Sequence, residues 1–184
     1  MARKKQEWFD WIKAIGIAAL LAIVIRMFVF APIVVDGPSM LPTLENGDHM
    51  IVNKLSYTFG DPERFDVVVF HATENKDYIK RVIGLPGEHV EYVEDTLYVN
   101  GQAVNEPYIS EQINALPKGN KYTFDFNLEE LPGGYEEIPD GHVLVLGDNR
   151  GNSTDSRMLG LIEVEELVGE TSFTYWPLGR IGIH

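Results

Sequence analysis

Two side chains of this 184-residue chain offer a nucleophile and a base without calling on a metal or a histidine. Ser39 lies in DGPSMLPTL, between Pro38 and Pro42, which stiffen the backbone around it. Lys80 lies in YIKRVIGLPG, where strand alternation puts Tyr78, Lys80 and Val82 on one face and Ile79, Arg81 and Ile83 on the other. If the Lys80 face is the buried one, loss of hydration favours the neutral amine. From an ordinary pKa of ~10.4, a fall of ~2 units, equivalent to ~2.7 kcal/mol, makes a useful base near neutral pH. A turn serine and a lysine whose stem covers apolar surface are the plain alternatives when each is taken alone.

A third stretch, GDNRGNSTDSR at 147–157, packs Asp148, Arg150, Ser153, Asp155 and Arg157 directly after the apolar run HVLVL. Short polar residues of this kind fold on themselves through carboxylate, guanidinium and hydroxyl bonds. Such a loop also suits the third-group role in a nucleophile–base pair, with Ser153 orienting a lysine amine.

Other chemistries lack their residues. There is no G-x-S-x-G elbow, H-E-x-x-H pair, Walker loop or Rossmann glycine fingerprint. With no cysteine, thiol nucleophiles, Cys-based zinc sites, Fe–S clusters and disulfides are all excluded. Histidines at 49, 71, 89, 142 and 184 border strand-like runs and never stand at i,i+3 or i,i+4, so they read as surface or strand-end residues. No metal site and no cofactor is expected. A net charge of −13 also makes nucleic acid a poor partner.

The elements that must position these groups are short, alternating and β-branched. Runs at 49–55, 65–70, 78–83, 89–93, 97–104, 142–146 and 170–176, separated by turn residues, predict an all-β, antiparallel catalytic core. Asn100-Gly101 is the strongest hairpin signal. The stretch 105–140, richer in Pro, Gly, Asn and Glu, reads as an irregular subdomain.

Ahead of this core, residues 14–35 are apolar apart from Arg26, and Pro32 predicts a helix end near Ala31. A helix over 14–31 measures ~27 Å, close to the ~30 Å of a bilayer's hydrocarbon. Trp8 and Trp11 suit one interface, and Arg26 can snorkel to the other. Cleavage after Ala31 would leave Pro32 first in the mature chain, which disfavours a removable leader and favours a retained anchor. Residues 1–26 sum to +3 and the remainder to −16. The positive-inside rule therefore predicts a cytoplasmic segment 1–13 beginning at Met1, a membrane anchor 14–31 and an extracytoplasmic domain 32–184. Ser39 would then stand within ~29 Å of the membrane helix along the chain.

Taken together, the chain resembles bacterial type I signal peptidases, membrane-anchored Ser/Lys endopeptidases. The resemblance rests on SMLPTL, GDHMIVNKLSY, FDVVVF, YIKRVIGLPGE and GDNRGNSTDSR, in that order behind an N-terminal anchor. It implies Ser39 as nucleophile and Lys80 as general base, Ser153 hydrogen-bonded to the lysine, and Asp155 paired with Arg157 as support. Ile33, Val35, Met40, Leu44, Tyr78 and Ile79 match substrate-pocket positions of the family, and preproteins with A-x-A cleavage sites are the implied substrates. Membrane lipid is an expected partner, with an export translocon nearby. Many relatives carry an oxyanion-hole serine two residues before the nucleophile. Here that position is Gly37, leaving the backbone N–H of Ser39 and a second donor, another backbone N–H or water, to do the work. Self-cleaving repressor proteases share the dyad, but this chain has neither a helix-turn-helix nor a basic surface.

Overall fold

The computed structural model describes residues 2–73 and 76–183, with the side chains of 2–7 and of Ser172 excepted. The cytoplasmic placement of Met1 and the strand-end reading of His184 fall outside the described residues. Helix α1 (Ala2–Phe28) contains a 21-residue apolar stretch from Trp8 to Phe28, ~32 Å long. Its large apolar side chains are 43–70% exposed, so the domain covers none of its faces.

The helix stops at Phe28, earlier than Pro32 suggested, because the next residues are recruited as a strand. The last helical bond runs from Val29 N–H to the Ile25 carbonyl, and Lys54 N–H then pairs with the Val29 carbonyl. Strand β1 (Phe30–Val34) lies antiparallel to β2 (His49–Asn53), with Pro32 opposite Ile51. Proline is tolerated there because β1 is an edge strand, and an edge N–H need not join the ladder.

After a short helix α2 (Ser56–Phe59) come β3 (Val67–Thr73) and β4 (Lys76–Gly84), each longer than the sequence suggests. The next three strands, β5 (Val90–Val93), β6 (Thr96–Val99) and β7 (Gln102–Val104), form a meander. Asn100 and Gly101 make its second turn with φ of 51° and 75°, as a two-residue hairpin requires. The excursion 105–140 holds α3 (Ser110–Ala115) and β8 (Phe126–Asn127), which joins the meander. Strand β9 (His142–Leu146), α4 (Ser156–Leu159), β10 (Ile162–Glu163), β11 (Leu167–Trp176) and β12 (Gly182–Ile183) follow.

All pairings are antiparallel. The large sheet runs β1-β2-β11-β3-β4-β9-β10, with β12 on the far part of β11, and the small sheet runs β7-β6-β5-β8. One apolar cluster joins the two sheets, with Ile83, Leu144 and Leu146 packed against Val90, Tyr92, Leu97 and Leu128. A second, built on Val68, Phe70, Val82 and Val145, fills the middle of the large sheet. A third gathers Val35, Met40, Leu44, Met50 and Val67 beneath the loop that carries Ser39.

Candidate active site

The Ser39 loop is held from below and from the side. Met40 and Leu44 are 1% and 0% exposed in the third cluster, anchoring the residues just after the serine. Leu41 N–H donates to the Pro38 carbonyl and Leu44 N–H to the Met40 carbonyl, closing two successive turns. From the side, Asn149 N–H donates to the Ser39 carbonyl at 3.0 Å, and its Nδ2 donates to the Pro38 carbonyl at 3.1 Å. The Thr43 hydroxyl donates to Asp148. Gly147 sits so close that a Cβ added there would lie 2.5 Å from the Ser39 carbonyl oxygen and 2.2 Å from Ser153 Oγ. Only glycine lets the two loops approach this far.

Lys80 reaches the serine from the middle of β4. Its residue is 3% exposed, and Nζ donates to Ser39 Oγ at 2.9 Å and to the Ile79 carbonyl at 2.8 Å, 5.0 Å from the centre of the Tyr78 ring. Among the described residues no carboxylate forms an ion pair with it. The two nearest candidates are occupied. Asp155 accepts from Arg157 Nε and Nη2, both at 2.8 Å, and from Gly147 N–H at 3.0 Å. Asp148 takes both Nε and Nη2 of Arg81, at 2.9 and 2.7 Å. Burial therefore pulls the Lys80 pKa down to about 8, with the more distant charges of Asp155 and Asp148 opposing the fall. Roughly a quarter of such an amine is neutral at pH 7.5, enough to take a proton from a hydroxyl already in bonding contact.

A family comparison decides what kind of protein carries this pair. The model of "Signal peptidase, peptidase S26" matches residues 8–176.

The chain belongs to that family.

It is accordingly a serine endopeptidase of the signal peptidase class. Signal peptidase I of Bacillus caldolyticus is 48% identical over 174 residues, covering 95% of this chain and 92% of that one. Signal peptidase IB of Staphylococcus aureus (strain Mu50 / ATCC 700699) is 44% identical over 179 residues, covering 96% and 93%. The crystal structure of a signal peptidase I from Enterococcus faecalis V583 superposes with a TM-score of 0.57 at 42% identity, covering 60% of this chain and 96% of that one.

Against this family background, two placements differ from expectation, those of Ser153 and of half the pocket residues. Ser153 lines the cleft beside Ser39 and Lys80, but its buried Oγ has no hydrogen-bond partner among the described residues, and the lysine does not bond to it. Lys80 Nζ has taken the Ile79 carbonyl instead. Of the six proposed pocket positions, Ile33, Tyr78 and Ile79 line a cleft of about 310 Å³ beside the dyad. Val35, Met40 and Leu44 do not; at 4%, 1% and 0% exposure they form the packed floor beneath. Gly37 has φ of +102°, a conformation that favours glycine, and its N–H donates to Asn46 Oδ1 at 3.1 Å. The Ser39 N–H donates to no acceptor among the described residues, which leaves it free for an incoming oxyanion.

The 147–157 loop does not bond only to itself, as its sequence suggested: Asp148 and Arg150 take distant partners. Asp148 ties Arg81 of β4 to Thr43 of the serine loop, so both dyad segments hang on one carboxylate. Tyr122 Oη donates to the Asp148 carbonyl at 2.9 Å. Arg150, 2% exposed, bonds Glu106 at 2.6 Å, Tyr92 Oη at 2.8 Å and the Gly147 carbonyl at 3.0 Å, which docks the small sheet onto the catalytic loop. The signal available was Arg81 itself, a charge on the second face of a strand already carrying Lys80.

Proposed function

We propose that this enzyme removes signal peptides from exported preproteins through a Ser39/Lys80 dyad. The observation that carries the reading is the 2.9 Å contact between an unpaired, buried lysine amine and the serine hydroxyl. Neutral Lys80 takes the Ser39 proton as Oγ attacks the scissile carbonyl, and the Ser39 N–H stabilises the oxyanion. The lysine, now charged, gives that proton to the leaving amine, which departs as the new N-terminus of the mature protein. A water then loses a proton to the regenerated amine and attacks the acyl ester, freeing the signal peptide and restoring Ser39.

Substrate lies extended between β1 and β4, where the cleft lined by Ile33, Val34, Tyr78 and Ile79 suits small apolar side chains such as those of an A-x-A site. Trp8 to Phe28 anchors the enzyme in the bilayer, N-terminus in the cytoplasm, with the catalytic domain outside and near the export machinery. Exposed Phe30, Phe173, Trp176 and Ile183, at 44%, 40%, 50% and 82%, give β1 and the β11–β12 edge a face that suits lipid. The reading is tested by incubating detergent-solubilised enzyme with a preprotein bearing an A-x-A site. Cleavage is expected at that site and is abolished by Ser39→Ala and by Lys80→Ala; cleavage by either variant would overturn the dyad.

A further inference from the structure

The cleft that holds the dyad adjoins two others. The central one, about 430 Å³, contains Ser39 and Lys80 and shares Asp36 and Tyr78 with the cleft beside β1 and β4. Through a different set of residues, Gly151, Ser153 and Met158, it adjoins a third cleft of about 390 Å³, which has no lining residue in common with the β1–β4 cleft. A polypeptide that enters from the β1–β4 cleft and crosses Ser39 can continue into this third cleft.

The walls of that cleft are unlike the rest of the acidic surface. Phe124 and Met158 are 71% and 56% exposed, and Phe126 and Leu131 stand with them. This apolar patch is built by the 105–140 excursion and α4, not by β1, β11 and β12. Two carboxylates flank it: Asp125, which pairs with Lys121, and Glu130, whose side chain makes no ion pair among the described residues. Arg157, also on the wall, is already neutralised by Asp155, and Arg150 is enclosed by Glu106.

We infer that the third cleft is the subsite for the substrate segment on the leaving-amine side of the cut. It takes a bulky apolar side chain among the first few residues of the mature protein and disfavours an acidic one. This rests on the proposed dyad and on the acyl side occupying the β1–β4 cleft, which leaves the other adjoining cleft to the leaving segment. Both halves of the substrate are held until the amine departs, so contacts here act on kcat/KM for acylation. Burying one Leu or Phe side chain against such a wall is worth roughly a tenfold preference over glycine. An acidic residue facing Glu130 loses by a few-fold at moderate salt.

The test uses the solubilised full chain and peptides identical through the A-x-A site, differing only in roughly the first five residues beyond the cut, scanned with Leu, Gly and Glu. The native enzyme should show a kcat/KM order of Leu above Gly above Glu at one or two positions. Phe124→Ser, a change at an exposed site, should collapse the Leu-to-Gly ratio to below about twofold. Glu130→Lys should abolish or reverse the discrimination against Glu while retaining the Leu preference. Equal kcat/KM for all three residues at every position would overturn the inference while leaving the peptidase reading intact. So would a Leu preference that survives Phe124→Ser. Failure to cleave any peptide would instead count against the activity itself.

Discussion

Two buried cations, one in the catalytic cleft and one at the seam between the sheets, have opposite fates. Lys80 and Arg150 are 3% and 2% exposed. Lys80 finds only neutral partners, the Ser39 hydroxyl and the Ile79 carbonyl, and burial pulls its pKa to about 8. Burial opposes the charge of Arg150 as well, but Tyr92, Glu106 and Tyr108 around it outweigh that and hold it firmly protonated. Depth alone does not make a cation reactive; depth without a carboxylate does. The fold arranges the difference by occupation: Arg157 claims Asp155 and Arg81 claims Asp148 before the lysine can.

The largest test of this contrast replaces the cation that can lose its proton with one that cannot. Lys80→Arg keeps positive charge but has no accessible neutral form, and kcat/KM for preprotein cleavage should fall by ~10³-fold or more. On the proposed dyad the neutral amine is the working form, so kcat/KM should rise with pH through about 8 and be lost below it. Stability follows the same proton. The unfolded lysine holds its proton up to its ordinary pKa and the folded one releases it at about 8, so stability should increase across that window, measured by denaturant unfolding.

At the seam the opposite manipulation applies. Glu106→Ala leaves Arg150 buried without its carboxylate and should cost ~3–5 kcal/mol in unfolding free energy. Gly147→Ala drives a Cβ into the Ser39 carbonyl and the Ser153 hydroxyl; its stability loss should be ~1–3 kcal/mol, with cleavage reduced more than stability because the dyad itself moves. Ser153→Ala should have the smallest effect on unfolding, within ~1 kcal/mol, because the hydroxyl it removes has no partner.

Much of this was legible in local pattern. Strand β9 occupies the residues 142–146 that alternation and turn residues marked, and the Asn100-Gly101 turn follows from the positive φ both positions need. The alternation put Lys80 and Arg81 on different faces but did not tell which is buried, and in the fold both are, at 3% and 4% exposure. The helix end was not legible, because the apolar run continues through Phe28 into β1 and Pro32 marks an edge strand, not the last helical turn. Nor was the purpose of 105–140. That segment supplies Glu106, Tyr108 and Thr123 to Arg150 and Tyr122 to the Asp148 carbonyl, pairings dozens of residues apart that no local pattern encodes. The Asp155–Arg157 pair, only two residues apart, was expected from the resemblance; that it leaves Lys80 without a carboxylate was not.

The central claim is that Lys80 is neutral when it acts. The direct measurement is a side-chain NMR titration of the Lys80 amine in detergent-solubilised enzyme, run beside the pH dependence of kcat/KM. The account predicts a midpoint near 8 for both, with that resonance missing in Lys80→Arg. A lysine that titrates at its ordinary value, or an activity limb that moves independently of it, would contradict the account.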